Sequence, residues 1–105
     1  MSQPSVPTTH LLYLHGFRSS PQSFKATLMA RWMRERCPQV AWLCPQLPPA
    51  PREAVALIES LTHAWPGASM AVVGSSLGGF YATVLAERRG CRAVVLNPSV
   101  NPARS

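Results

Sequence analysis

The residues with the clearest chemical potential form one short stretch, Gly74-Ser75-Ser76-Leu77-Gly78. It matches G-x-S-x-G, the sharp strand-to-helix turn that presents a nucleophilic serine. The turn folds the positions two before and two after the nucleophile against each other, so both must lack a side chain. Ser76 has Gly74 and Gly78 at these positions, whereas Ser75 has Val73 and Leu77. Ser76 is therefore the candidate nucleophile.

A serine hydroxyl needs a base beside it and hydrogen-bond donors for the oxyanion that its attack creates. In this turn the N–H of Leu77 lies at a helix N-terminus, where the helix dipole favours negative charge, so Leu77 is a candidate oxyanion donor. A plain glycine-rich turn before a helix would give the same pattern. The apolar run at 70–73 and the helical pattern from Leu77 onward favour catalysis.

A second stretch, His15-Gly16-Phe17, follows the first apolar run of the chain. Its position predicts that the Phe17 N–H is a second oxyanion donor, opposite that of Leu77, and Gly16 permits a sharp turn there. His15 is a candidate base, but sites of this type take their histidine from downstream of the serine. We therefore expect His15 to hold the oxyanion loop in shape by hydrogen bonding, with the base role as the alternative.

The elements that must position these residues alternate between strand and helix. We predict strands at 9–14, 40–44, 70–73 and 93–96, and helices that start at Ser20-Pro21, Pro51 and Leu77 and end near Arg36, at Pro66-Gly67 and at Gly90. This alternation indicates an α/β fold, a parallel sheet in order 2-1-3-4 with helices on both faces. Both candidate loops follow strand ends, so they share the carboxyl rim of the sheet, where such folds bind ligands.

The helices also carry predicted core faces and charged ends. In the first helix Phe24, Leu28 and Trp32 recur every four residues beside Met29 and Met33, and we expect all of them in the core. The second helix carries an apolar stripe made of Ala54, Leu57, Ile58, Leu61 and Trp65. Arginines cluster near helix C-termini, where cations suit the dipole, so we interpret them as solvated helix ends.

Composition limits the class of protein. With 105 residues, 47% apolar and 13% charged, the chain makes one globular domain at most, residues 1–105. The net charge of +6 invites a nucleic-acid interpretation, but the arginines are scattered without interleaved aromatic residues, so no nucleic-acid partner is expected. No apolar run is long enough for a membrane span, and no membrane partner is expected. The three cysteines lack metal-site spacing and indicate reduced thiols, so no metal is expected.

Several collinear blocks together resemble the small bacterial α/β-hydrolase esterases of the YqiA type. The blocks are Leu12-Tyr13-Leu14-His15-Gly16-Phe17, Ser19-Ser20-Pro21, Pro45-Gln46-Leu47-Pro48, the elbow with its flanks from Val73 to Thr83, and Leu96-Asn97-Pro98. The resemblance implies hydrolysis of short acyl esters in the cytoplasm without a cofactor. It implies that Ser76 is the nucleophile and that the Phe17 and Leu77 amides form the oxyanion hole.

The chain departs from this family after the elbow. Beyond Ser76 it has Glu87 as its one acid and no histidine, and it has no aspartate anywhere. We expect the N-terminal half of an esterase, incomplete as a domain and inactive alone, with a sheet edge open to self-association. Two alternatives remain: a non-catalytic remnant or binding half-domain, and a thioesterase or acyltransferase that uses the same elbow.

Overall fold

A parallel sheet of four strands organises the protein. The computed structural model describes residues 7–16 and 22–96. In chain order the elements are β1 (His10–Leu14), α1 (Phe24–Arg36), β2 (Ala41–Leu43), α2 (Pro51–Thr62), β3 (Met70–Ser75), α3 (Leu77–Arg89) and β4 (Arg92–Leu96). The spatial order β2-β1-β3-β4 confirms the prediction.

The strand register brings the two candidate loops together. Leu14, the last residue of β1, pairs with Gly74 in β3. Since β1 and β3 run parallel, the loop after β1 and the turn after β3 emerge side by side at the carboxyl rim. The topology therefore supplies the juxtaposition that the sequence pattern required.

The sheet has an apolar core on each face. On one face α1 contributes Ala26 and Met33, which pack with Leu11, Tyr13 and Val73 of the sheet. The other face is covered by α2 and α3. Their buried residues, packed with sheet residues such as Leu12 and Val72, are Ala54, Ile58, Tyr81, Ala82 and Leu85. The alternation of side chains along the strands sorts the residues between these two cores.

Helix α1 begins later than predicted. It starts at Phe24 with Ser23 as N-cap, whose hydroxyl oxygen accepts a hydrogen bond from the Ala26 N–H at 3.2 Å. The predicted start at Ser20-Pro21 lies outside the described residues. The C-terminal prediction is confirmed, because α1 ends at Arg36 and Cys37 caps it.

The predicted core stripe of α1 is wrong. Phe24, Leu28 and Trp32 are 82%, 52% and 50% exposed. Met33 is buried and Met29 is partly buried against the sheet, so the core side of α1 is a different arc of the helix. The periodicity was correct, but α1 carries apolar residues on two sides, and spacing alone does not tell which side meets the sheet.

The arginines in the last turn of α3 do more than solvate a helix end. Helix α2 stops at Thr62, before the predicted Pro66-Gly67 boundary, and the Arg89 guanidinium donates to the carbonyl oxygens of Thr62, at 2.8 Å, and Trp65. Arg88 forms a salt bridge with Glu59 of α2. These contacts satisfy carbonyls left open at the end of α2 and tie α3 to it.

Strand β4 forms one edge of the sheet and is poorly covered. Four of its five residues are exposed, and Val94 and Val95 are 53% and 38% exposed. An apolar edge strand offers unpaired backbone groups to another chain.

We predict that the 105-residue chain, produced alone, self-associates through β4. Val94→Lys should shift the population toward monomer in sedimentation velocity, because a charge on an edge strand opposes strand pairing. The matched control, Ala56→Lys on the exposed side of α2, should leave association unchanged. A monomer with a sharp, concentration-independent melt would contradict the prediction.

Candidate active site

Ser76 occupies the turn between β3 and α3 in a strained backbone conformation. Its φ is 54° and its ψ is −120°, and it is the one non-glycine residue with positive φ among the described residues. Such a conformation persists in a non-glycine residue only where the surroundings enforce it. The Ser76 N–H donates to the Leu96 carbonyl at 2.9 Å, and the Ser76 carbonyl accepts from the Gly79 N–H at 2.9 Å. The positive φ that the elbow pattern requires is therefore present.

Gly74 and Gly78 make this turn sterically possible. A Cβ on Gly74 would lie 2.2 Å from the carbonyl oxygen of Gly78, so the two positions do pack against each other. A Cβ on Gly78 would instead meet the end of β1, 2.1 Å from the Leu14 carbonyl oxygen. Gly78 thus lets α3 approach β1, a reason the pattern alone does not give.

Gly16 brings the loop after β1 against Ser76. A Cβ on Gly16 would lie 3.1 Å from the Ser76 Cβ and 3.6 Å from the Ser76 Oγ. The loop that follows β1 therefore starts beside the serine. Phe17, the predicted second oxyanion donor, lies outside the described residues, so its role stays a prediction.

Leu77 is the first residue of α3. Its N–H has no acceptor within the helix and lies at the positive end of the helix dipole. The Ser76 side chain is exposed and does not cap α3, so its hydroxyl is not committed to the helix backbone. An exposed serine hydroxyl next to an uncommitted helix N-terminus can attack a carbonyl and have the resulting oxyanion stabilised.

His15 is buried, at 5% exposed, and both of its ring nitrogens bond to backbone groups. Nε2 accepts the Leu47 N–H at 2.9 Å, and this requires the proton on Nδ1, which donates to the Gly16 carbonyl at 2.9 Å. These contacts agree with the loop-holding role expected from the sequence and leave neither nitrogen for the Ser76 hydroxyl. No sequence pattern indicated that Leu47, in the proline-rich loop after β2, would be the partner.

Tyr13 of β1 lies near the Ser75 side chain, a proximity that sequence reasoning missed. Burial raises the pKa of the Tyr13 phenol, and the hydrogen bond with the Ser75 side chain opposes that rise. The alternation along β1 could have placed Tyr13 on the same face as Val73, but not in contact with Ser75.

The cysteine thiols and possible metal ligands of the described residues are further candidates for a reactive site. Burial raises the pKa of the Cys44 thiol to about 11 and raises that of Cys91, which disfavours the reactive thiolate at neutral pH. Within residues 7–16 and 22–96, His, Cys, Asp and Glu side chains form no group of three or more that could hold a metal ion. In the same part of the chain no helix is long and apolar enough to cross a membrane.

A family model for the uncharacterised protein family UPF0227 matches residues 10–105. The chain belongs to this family. The match confirms the resemblance to YqiA-type proteins, and it covers both the β1 loop and the Ser76 elbow.

A comparison of solved structures relates the UPF0227 chain to the RedJ thioesterase from the prodiginine biosynthetic pathway of Streptomyces coelicolor. The TM-score is 0.53 and the sequence identity is 16%; the match covers 90% of this chain and 43% of the thioesterase. At this identity the likeness establishes the fold, which is of the α/β-hydrolase type. The chain spans less than half the length of this structural neighbour.

We predict that Ser76→Gly stabilises the UPF0227 chain relative to Ser76→Ala. Glycine adopts positive φ without the strain that a Cβ causes, and after its greater unfolded-state entropy is subtracted the gain is about 1 kcal/mol. Urea unfolding of the two variants, which both lack the hydroxyl, measures the difference. An alanine variant as stable as the glycine variant would show that the backbone strain at this turn is no larger than the entropic cost of glycine.

His15→Ala should lower the free energy of unfolding by about 2–4 kcal/mol, because it leaves the buried Leu47 N–H without its acceptor and opens space at the end of β1. His63→Ala, which changes an exposed histidine just after α2, is the matched control and should have little effect. Equal stabilities of the two variants in urea would remove His15 as the link between these loops.

Proposed function

We propose that this chain carries the nucleophile half of a serine esterase that hydrolyses short acyl esters through an acyl-enzyme on Ser76. The observation that carries the proposal is the backbone of Ser76, with φ of 54° at the exposed turn into α3. Strain of this kind concentrates at functional sites. If the turn had only a structural role, glycine at position 76 would remove the backbone strain. The chain already uses glycine at 74 and 78.

In the proposed reaction the Ser76 Oγ attacks the ester carbonyl carbon while a base takes the hydroxyl proton. In this proposal the N–H groups of Leu77 and Phe17 together stabilise the oxyanion. The leaving alcohol departs with a proton from the same base. Water then attacks the acyl-enzyme, the acid product leaves, and Ser76 regains its proton.

The base is the missing component of this proposal. No histidine follows Ser76 in the sequence, and both nitrogens of His15 are held by backbone groups. Glu87 is exposed and lies in the last turns of α3, far along the helix from the elbow at its start. We therefore assign the base and its carboxylate partner to a polypeptide segment outside these 105 residues, and we propose that the chain alone is inactive.

Thioester hydrolysis is the second candidate, because the structural neighbour is described as a thioesterase. The elbow chemistry is the same for esters and thioesters, since both give the same acyl-enzyme. The two candidates differ in the leaving group, and parallel assays with matched acyl p-nitrophenyl esters and acyl thioesters would separate them.

We predict that the isolated chain has no meaningful esterase turnover and that a fluorophosphonate probe labels it slowly or not at all. Without a base, only the oxyanion hole and binding remain, worth about 10³–10⁴ over water. Adding the C-terminal half of a related esterase, fused or as a separate chain, should restore labelling and p-nitrophenyl ester hydrolysis.

In the reconstituted protein Ser76→Ala should abolish both activities. Ser75→Ala, which removes the neighbouring hydroxyl, is the matched control and should keep them. Rapid, Ser76-dependent hydrolysis by the isolated chain would overturn the assignment of the base to another segment. Reconstituted activity that survives Ser76→Ala would overturn the nucleophile assignment.

A further inference from the structure

Helix α1 presents an apolar surface to solvent that the fold does not use. Its outer stripe consists of Phe24, Leu28 and Trp32, which are 82%, 52% and 50% exposed. The three residues follow one another every four positions, so they line about 12 Å of the helix. Large apolar side chains that lie together on a surface indicate a binding site.

Phe24 and Leu28 of the outer stripe point away from the sheet, whereas Trp32 lies on a flank of α1. At 100° per residue, Leu28 lies about 130° around the helix from the arc that Ala26, Met29 and Met33 turn to the core. A further helix laid beside α1 on the same sheet face would contact the flanks of α1. Phe24 and Leu28 would still face outward, so completing this layer of the fold does not bury them.

Cations flank the outer stripe on both sides. Lys25 and Arg36 lie beyond Trp32 around the helix, and Arg31 and Arg34 lie beyond Phe24. The Arg36 guanidinium is 5.8 Å from the Trp32 ring centroid. The one acid of the helix, Glu35, lies at the C-terminal end of the outer stripe, 3.9 Å from Arg31. Since Lys25, Arg31, Arg34 and Arg36 outnumber it, the surface keeps a positive balance.

We propose that the outer face of α1 docks onto an anionic lipid surface. A helix with Trp, Phe and Leu on one face and Lys and Arg beside them lies in the membrane interface, with its apolar side chains among the acyl chains and its cations at the headgroups. The stripe stands on a convex helix, which suits a flat lipid surface. The net charge of +6 adds attraction to anionic lipid at longer range.

This proposal departs from the expectation that the protein has no membrane partner. That expectation followed from the lack of a membrane span, and it counted Phe24, Leu28 and Trp32 as core. Docking at the interface requires no spanning helix. The proposal also does not depend on the esterase proposal, because its readout is binding.

Trp32 fluorescence tests the proposal in the natural full-length polypeptide that carries this sequence. Vesicles of equimolar phosphatidylglycerol and phosphatidylcholine should shift the emission to the blue, and pure phosphatidylcholine vesicles should have a much smaller effect. The chain has three tryptophans, and Trp42 and Trp65 are partly buried. Trp32→Phe should therefore remove the shift while vesicle co-sedimentation persists.

Removal of two flanking cations, in Arg31→Gln with Arg34→Gln, should weaken partitioning into the anionic vesicles about 30-fold, since each cation near such a surface contributes about 1 kcal/mol. The matched control, Arg52→Gln with Arg88→Gln, removes the same charge from α2 and α3 and should change partitioning by less than about 3-fold. If both double variants lost the same amount of vesicle partitioning, the binding would depend on net charge and not on the face of α1. This result would overturn the proposal.

Two further results would also overturn it. One is equal binding to neutral and anionic vesicles, or binding to neither. The other is a Trp32 that acrylamide cannot quench in the absence of vesicles, because the outer stripe would then be covered by another segment, a second copy or a protein partner.

Discussion

The close approach of backbone at the β3–α3 turn is the constraint on which the site depends. A Cβ on Gly74 would collide with the carbonyl of Gly78, and a Cβ on Gly78 would collide with the carbonyl of Leu14. Neither position can therefore carry a side chain. With these contacts fixed, α3 starts against the ends of β1 and β3, and Ser76 is left with φ of 54°. The two glycines allow the close backbone contacts without a steric clash. These contacts hold the serine between them in a strained backbone conformation.

The same approach of α3 to β1 determines what lies around the serine. It places Gly16 beside the Ser76 side chain and leaves the buried His15 imidazole just below the rim. His15 then joins two loops, since one nitrogen bonds within the β1 loop and the other bonds to Leu47 after β2. A hydrogen bond from a buried backbone N–H is costly to lose, so the position of the loop that begins at His15 is coupled to the proline-rich loop.

Arginine has two different roles in the helices. Arg89 is partly buried and closes the end of α2 through carbonyl contacts, whereas the arginines of α1 are exposed beside apolar side chains. Helix propensity and the dipole favour arginine in the last turn in both cases. Only in α3 does a neighbouring helix end lie within reach of the guanidinium. The arginines of α1 remain available to an external anionic surface.

The sequence by itself determined the strand order, the elbow and the identity of the candidate nucleophile. Strand and helix alternation permits few parallel topologies, and glycine at both flanks singles out Ser76 from Ser75. It could not decide which side of α1 meets the sheet, because Phe24, Leu28 and Trp32 have the same spacing as a core stripe. Only the tertiary structure showed that the core side of α1 carries Ala26 with Met33 and leaves out Phe24, Leu28 and Trp32, since the choice depends on how α1 packs against the sheet. The distant partners of His15 and Arg89 were likewise decided in three dimensions, because they lie 24 to 32 residues away in the sequence.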